Sequence, residues 1–143
     1  MTRYPPILLS LVLLLMAACG EEEQSSGKAP QSSPEGAKGE IVFERMIHDL
    51  GTIQQGETVG CNFAFTNTGE GRVMILDASA SCGCTVPRFS KEPVTPGKKG
   101  TVEVMFDSSG RMGRQSKTVT IRTNGMTEVI RLTINADIIQ ANT

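Results

Sequence analysis

The sequence predicts an all-β fold, a two-layer sandwich of about seven short strands, and three observations lead to this prediction. Apolar residues alternate with polar or small ones at a period of two through most of the region 59–138. Turns rich in glycine, asparagine or proline separate these stretches. No stretch of this region has a helical period of useful length. Residues 40–138 are enough for one hydrophobic core but too few for two domains.

Four alternating series mark the predicted strands in chain order. They are Val59, Cys61, Phe63 and Phe65; then Val102, Val104 and Phe106; then Val119 and Ile121; and finally Ile130, Leu132, Ile134, Ala136 and Ile138. This spacing places the apolar members of each series on one face of a strand, half buried against a second sheet. The predicted turns are 67–71, 96–97, 108–110 and 124–125. The pattern is typical of an immunoglobulin-like β-sandwich, without the Cys…Trp…Cys spacing of antibody domains.

The first eighteen residues predict an export signal. Arg3 precedes an apolar run at 7–16, which Ser10 alone interrupts. A run of about ten residues is too short to cross a bilayer of about 30 Å as a helix, but it suits a signal peptide. The segment 16–19, Met-Ala-Ala-Cys, resembles the lipobox of bacterial lipoproteins. This resemblance implies cleavage before Cys19 and acyl chains on it, which would hold the protein on a membrane. An ordinary secretory signal is the alternative.

Residues 19–39 are predicted to form the lipidated cysteine and a disordered tether, because 20–39 contain no large apolar side chain. The acidic run 21–23 resembles the surface-export signals of Bacteroidetes lipoproteins, and a solvated linker is the alternative. We therefore expect an outer-membrane lipoprotein of the cell envelope, either periplasmic or surface-exposed. Residues 139–143 are expected to be a C-terminal tail.

The charge of the mature chain argues against nucleic acid as a partner. The whole chain has 14 basic and 15 acidic residues, and removal of 1–18 takes away only Arg3, so 13 basic residues face 15 acidic ones. Nucleic-acid binding is expected of a basic surface instead.

Three cysteines remain once Cys19 carries lipid, and they leave several interpretations open. Disulfides are allowed in the oxidising envelope, but Cys61, Cys82 and Cys84 can form at most one. Gly83 can turn the chain and bring its two cysteine neighbours together. Cys82 and Cys84 could then be buried thiols, a local disulfide, a redox pair, or two thiolate ligands of copper beside a methionine. Cys61 is expected in the core, although a bridge from it to either of the others stays open.

No catalytic residue is predicted. His48 is the only histidine, so a multi-histidine metal site is excluded, and we expect it at an edge or in a turn. A Cys–His catalytic pair would require His48 to lie beside Cys82 or Cys84. The aspartates are scattered near predicted strand ends, where turn and cap roles are ordinary; they are Asp49, Asp77, Asp107 and Asp137.

Several short segments together resemble a known bacterial family, the domain of unknown function 1573. They occur in the order 48–53 (HDLGTI), 63–69 (FAFTNTG), 81–85 (SCGCT), 96–97 (PG), 104–107 (VMFD) and 117–119 (KTV). Leu50 replaces the phenylalanine that is usual in the first segment. The resemblance implies an immunoglobulin-like sandwich, related to domains of cilium and sperm proteins, and a location in the envelope. It implies no activity.

These observations predict a non-enzymatic binding or interaction module without a cofactor. Its expected partners are a membrane, reached through the acyl chains on Cys19, and an unidentified envelope protein or polymer. A thiol- or copper-binding envelope protein that uses Cys82 and Cys84 is one alternative. A structural envelope spacer is the other.

Overall fold

The structure, a computed structural model, describes residues 36–140, so the predicted signal, Cys19 and most of the tether lie outside the described residues. Within this range the chain forms eight strands and no helix, and therefore no helix that could cross a membrane. The strands are β1 (Ile41–Phe43), β2 (Ile47–Gln54), β3 (Thr58–Asn67), β4 (Ile75–Ala80), β5 (Thr85–Phe89), β6 (Lys99–Asp107), β7 (Gly113–Thr123) and β8 (Val129–Ile139).

The eight strands form two sheets of four. The first sheet has the order β1-β3-β6-β5 and is antiparallel throughout. The second sheet has the order β2-β8-β7-β4, and β2 runs parallel to β8 while the other pairs are antiparallel. The prediction of an all-β, immunoglobulin-like sandwich is confirmed, with eight strands where the sequence predicted about seven.

The core lies between the sheets and is built from the predicted alternating series. Every member of the four series is buried except Val59, which is partly buried and packs against the core. The cross-strand register brings these residues together, since Phe63 lies opposite Val102 on β6 and Ile121 lies opposite Ile130 on β8. Burial of such large apolar side chains is the main stabilising contribution to a domain of this size.

The chain enters the sandwich slightly before the predicted boundary at residue 40. The amide of Gly71 donates to the carbonyl of Lys38 over 3.1 Å, and the amide of Met126 donates to that of Gly39 over 2.9 Å. Gly39 is buried, and a Cβ built on it would lie 2.6 Å from Cβ of Val73. The end of the predicted tether therefore belongs to the folded domain.

Two of the predicted turns depend on left-handed glycine backbone. Gly97 has a φ of 73° and Gly110 has a φ of 69°, a region that other residues rarely adopt. Gly110 follows an aspartate turn, in which the amide of Ser109 donates to Oδ1 of Asp107 over 2.9 Å. These turns lie at opposite ends of β6.

Candidate functional site

A cavity opens between the sheets because β5 is shorter than β6. β5 pairs with β6 only from Val102 onwards, whereas β6 itself begins at Lys99. After β5 the chain runs past the residues that precede β4, where Val94 forms an isolated bridge with Val73; residues 90–98 are the crossing segment. The gap that this crossing leaves is a half-open cavity of about 320 Å³.

The cavity has an apolar floor and a polar rim. Phe65 and Ile75, each 3% exposed, supply the floor from the two sheets. Other lining residues come from the crossing segment and from the start of β6: Ser90, Glu92, Pro93, Val94, Thr95, Lys98, Lys99, Gly100 and Thr101. Apolar lining with a few polar groups at the mouth is the usual composition of a binding site.

Asn67 holds this end of the domain together, and it is fully buried. Its Nδ2 donates to the carbonyl of Gly71 and to that of Val94, both over 2.8 Å. Its Oδ1 accepts from the amides of Glu40 and Gly69, both over 3.0 Å. The side chain therefore joins the crossing segment, the turn after β3 and the entry of the chain. The sequence identified Asn67 only as a turn residue, since its distant partners leave no local signal.

The backbone of Asn67 fixes the opposite wall of the cavity. Its amide donates to the carbonyl of Lys98 over 2.9 Å, and its carbonyl accepts from the amide of Gly97 over 2.8 Å. Asn67 therefore positions both walls of the cavity, one through its side chain and the other through its backbone. Such a cavity is preformed, which lowers the cost of ordering it when a ligand binds.

Gly100 is required because the ring of Phe65 lies across it. A Cβ built on Gly100 would be 2.3 Å from Cζ of Phe65, which is far inside van der Waals contact. The two residues are cross-strand partners on β3 and β6. A larger residue at position 100 would displace the ring and change the floor of the cavity.

The two lysines at the rim differ in their electrostatic surroundings. Nζ of Lys99 lies 2.9 Å from Oε1 of Glu44, and this hydrogen bond holds the pKa of the Glu44 carboxyl below its usual range. Both side chains are exposed, so the pair adds little to stability. Lys98 forms no ion pair with any residue from 36 to 140. It can therefore pair with an incoming acidic group.

The other end of β6 carries a disulfide between Cys82 and Cys84, in the segment that connects β4 to β5. This is one of the pairings that the sequence left open. The amide of Asp107 donates to the carbonyl of Cys84 over 2.8 Å, which anchors the segment to the end of β6. Gly83 has no left-handed φ, and a Cβ built on it would meet no atom within 4 Å. The turn therefore does not use the conformational freedom that the sequence argument gave to this glycine.

Cys61 is a free thiol, 7% exposed, and burial raises its pKa while the nearby guanidinium of Arg45 opposes the rise. Because Cys82 and Cys84 are bonded to each other, two thiolates for copper would exist only after reduction. Among the described residues, no group of three or more His, Cys, Asp or Glu side chains is placed to hold a metal ion.

Thr85 touches both sulfurs of the disulfide. Its Oγ1 lies 3.5 Å from Sγ of Cys82 and 3.8 Å from Sγ of Cys84, and the residue is 3% exposed. The sequence marked Thr85 only as the last letter of the SCGCT segment. A threonine directly after a Cys-X-Cys pair was the available signal, but no local rule connects it to the sulfurs.

His48 lies on β2, at the edge of the second sheet, with its ring edge-on to Phe63 at 6.0 Å between centroids. Its Nδ1 is buried and has no hydrogen-bond partner within the described part of the chain. Strands β8 and β7 separate β2 from β4, a distance of about 14 Å at the usual strand spacing. His48 and the cysteines that follow β4 are therefore on opposite edges of this sheet and form no catalytic pair.

The family model described as protein of unknown function (DUF1573) matches residues 41–138, well over half of the chain. The chain belongs to this family. The matched range contains all of the segments on which the resemblance in sequence rests, and it runs from the first residue of β1 almost to the end of β8. No curated protein matches the chain.

Solved structures with the same fold come from varied proteins. A protein of unknown function from Porphyromonas gingivalis W83 is 16% identical with a TM-score of 0.61, over 69% of this chain and 46% of that one. The ASH / PapD-like domain of human CEP192 is 15% identical with a TM-score of 0.58, over 79% and 93%. The secreted serine protease VesC from Vibrio cholerae is 16% identical with a TM-score of 0.55, over 72% and 24%.

These likenesses establish the fold alone. The chain spans less than half of the Porphyromonas protein and about a quarter of VesC. In contrast, the human domain is matched over nearly its whole length. The sandwich of this DUF1573 protein is thus an immunoglobulin-like unit that also occurs within larger chains.

Proposed function

We propose that this DUF1573 protein is a lipid-anchored protein of the bacterial envelope whose domain binds another envelope protein through its cavity, and that the cavity is a non-enzymatic binding site. The half-open cavity beside the start of β6 is the observation that supports this proposal. It combines a buried apolar floor, Phe65 and Ile75, with lysines at its mouth. The acyl anchor rests on the sequence around Cys19.

The cavity fits an extended segment of a partner rather than a small molecule enclosed on all sides. In an antiparallel sheet, alternate residues direct their N–H and C=O groups to opposite sides of the strand. Residues 99–101 of β6 pair with β3 on one side, and β5 does not reach them on the other. An added strand would pair with these groups, a common mode of peptide recognition.

The side chains of the partner follow from the lining. An apolar residue of the extended segment would enter the cavity and contact Phe65 and Val94. An acidic residue close to it in sequence would pair with Lys98, which has no ion pair within residues 36–140. The expected ligand is therefore an extended segment with an apolar anchor next to an acidic side chain.

A site-specific crosslinking experiment in the native bacterium tests this site. A photoreactive residue is placed at Thr101 on the rim or, as a control, at the exposed Ser116 on the outer face of the second sheet. We expect one protein adduct from position 101 and none of the same mass from position 116. Lys98→Glu should reduce the adduct at least tenfold, whereas Lys91→Glu, on the same segment but outside the cavity, should leave it unchanged.

The same experiment has clear contrary outcomes. Equal adducts from positions 101 and 116 would place the interaction elsewhere on the domain. Equal effects of Lys98→Glu and Lys91→Glu would show that the interaction depends on the general charge of the surface and not on Lys98 itself. The absence of any adduct from position 101 would favour the spacer function over the binding function.

The anchor is tested separately by metabolic labelling with palmitate. We expect label on the wild-type protein and recovery of the protein in the outer-membrane fraction. Cys19→Ser should abolish the label and move the protein to the soluble fraction, because acyl chains contribute about 0.8 kcal/mol of membrane affinity per buried methylene. An unlabelled wild-type protein would contradict the anchor without affecting the crosslinking result.

A further inference from the structure

The disulfide closes an unusually small ring. Cys82 and Cys84 are two positions apart, so the bond encloses only three residues. In the chain-entropy account, a disulfide stabilises a fold more when it closes a longer loop. This bond therefore stabilises the domain weakly. The fold and the bond stabilise each other by the same free energy, so folding makes the bond only slightly harder to reduce.

The two sulfurs differ in access to solvent. Cys84 is 8% exposed, and its carbonyl is held by the amide of Asp107. Cys82 is partly exposed, and Gly83 between them is exposed, with no atom within 4 Å of a Cβ built on it. An external thiolate can therefore approach the sulfur of Cys82 more easily than that of Cys84.

A hydroxyl lies within hydrogen-bond range of both sulfurs, including the one that leaves. Oγ1 of the buried Thr85 is 3.8 Å from Sγ of Cys84 and 3.5 Å from Sγ of Cys82. A hydrogen bond from this hydroxyl to a sulfur that gains negative charge would stabilise the thiolate. The leaving-group thiol is a main determinant of exchange rates, and a better stabilised thiolate leaves faster.

We propose that Cys82 and Cys84 form a thiol–disulfide exchange site, whose substrate is a pair of thiols on another envelope protein. One partner thiolate attacks Sγ of Cys82, the bond between the two cysteines breaks, and its electron pair goes to Sγ of Cys84. The second partner thiolate then attacks the partner's own sulfur in the mixed disulfide and releases Cys82. The partner dithiol is oxidised to a disulfide, while Cys82 and Cys84 gain two electrons and, from solvent, two protons.

This activity is independent of the cavity, which lies at the opposite end of β6. The first test reduces the full-length protein with glutathione buffers of graded ratio, followed by alkylation and peptide mapping. We expect Cys82 and Cys84 to be alkylated while the circular dichroism of the β-sheets is unchanged, and the buried Cys61 to stay unmodified. Alkylation only after loss of the β-sheet signal would overturn the proposal, because the bond would then be a structural staple.

The second test addresses the direction of attack. In wild-type protein quenched by acid during reduction, mass spectrometry should find glutathione on Cys82 rather than on Cys84. The single variants extend this: Cys84→Ser should form a mixed disulfide with oxidised glutathione at least tenfold faster than Cys82→Ser. Equal trapping on both cysteines contradicts the proposed asymmetry.

The third test isolates the hydroxyl. Thr85→Val keeps the shape of the side chain but removes the donor, so reduction by glutathione should slow about fivefold, the effect of one hydrogen bond of ordinary strength. Thr85→Ser should restore the rate. A rate in Thr85→Val equal to that of the wild type would remove Thr85 from the mechanism.

Discussion

The two ends of β6 are held by different means. At its beginning, the buried side-chain amide of Asn67 makes four hydrogen bonds to backbone groups of three separate segments. At its end, the connection between β4 and β5 is held by a disulfide that spans three residues and by three single backbone hydrogen bonds, which join Ser81 to Thr118, Cys82 to Thr85 and Cys84 to Asp107. The covalent bond is the stronger link, but it joins near neighbours. The amide joins residues that are far apart in the chain.

This difference indicates which end stabilises the domain. A link contributes to folding in proportion to the freedom it removes, and near neighbours have little freedom relative to each other. A buried polar group is also costly once its partners are lost. The end of β6 that the side chain of Asn67 holds, the amide end, should therefore stabilise the fold. The other end, the disulfide end, should be accessible to reaction with thiols.

The largest predicted effect comes from Asn67→Ala. It leaves the amides of Glu40 and Gly69 and the carbonyls of Gly71 and Val94 without their partner, so the free energy of unfolding should fall by about 4 kcal/mol. Urea denaturation measures this value. Asn124→Ala serves as control, since that exposed side chain accepts one bond, from the amide of Met74, and its loss should cost about 1 kcal/mol. Equal losses would contradict the structural role of the amide end.

The second prediction compares a glycine at each end. Gly100→Ala should lower the free energy of unfolding by about 2 kcal/mol, because the added methyl overlaps the ring of Phe65. Gly83→Ala, between the two cysteines, should change it by less than about 0.5 kcal/mol, because that Cβ meets no atom. Thermal unfolding of both variants, compared with the wild type, measures the two changes in stability. A larger loss for Gly83→Ala would reverse the comparison.

The third prediction concerns the disulfide itself. Replacing both Cys82 and Cys84 by alanine should lower the free energy of unfolding by only about 1.5 kcal/mol, the loop-entropy value for a three-residue ring. The measurement is urea denaturation under non-reducing conditions. A loss as large as that of Asn67→Ala would make the disulfide a structural element after all.

The smallest effects are electrostatic, and they also differ between the ends. The amide of Ser109 lowers the pKa of Asp107, and Lys99 lowers that of Glu44. Since both carboxyl pKa values are lower in the folded state, the stabilisation is present above the unfolded values and is lost as the pH falls below about 4. In NMR titrations, 1 M salt should return the pKa of Glu44 towards its usual range more than that of Asp107. The ion pair is screened, whereas the short hydrogen bonds from Ser109 are not. Equal salt responses would contradict this assignment of causes.

The fold was predictable because its signals are local. Alternation along 130–138 placed five residues on one face of β8, and all five are buried. Gly97 and Gly110 marked turns, and both have the left-handed φ that such turns require. These features depend on neighbours within a few positions, where the period of a strand and the sterics of a turn act directly.

The candidate sites were only partly predictable, because they depend on contacts between distant residues. The sequence identified Cys82 and Cys84 and left their bonding open, whereas the structure joins them to each other and leaves Cys61 free. Nothing local indicated the cavity, since it results from a difference in length between β5 and β6. The sequence also gave no sign of the role of Thr85, because only the folded segment brings its hydroxyl within hydrogen-bond range of both sulfurs.

The amino-acid order alone determined the β class and the buried faces of the main strands, and the predictions of export and of lipid attachment at Cys19 rest on it entirely. The order of strands in each sheet, the burial of Asn67 and the accessible face of the disulfide came from the tertiary structure. The physical reason is the range of the interactions. Periodicity and turn sterics act over a few residues, but a hydrogen bond from Asn67 to Val94 exists only after the chain between them has folded back.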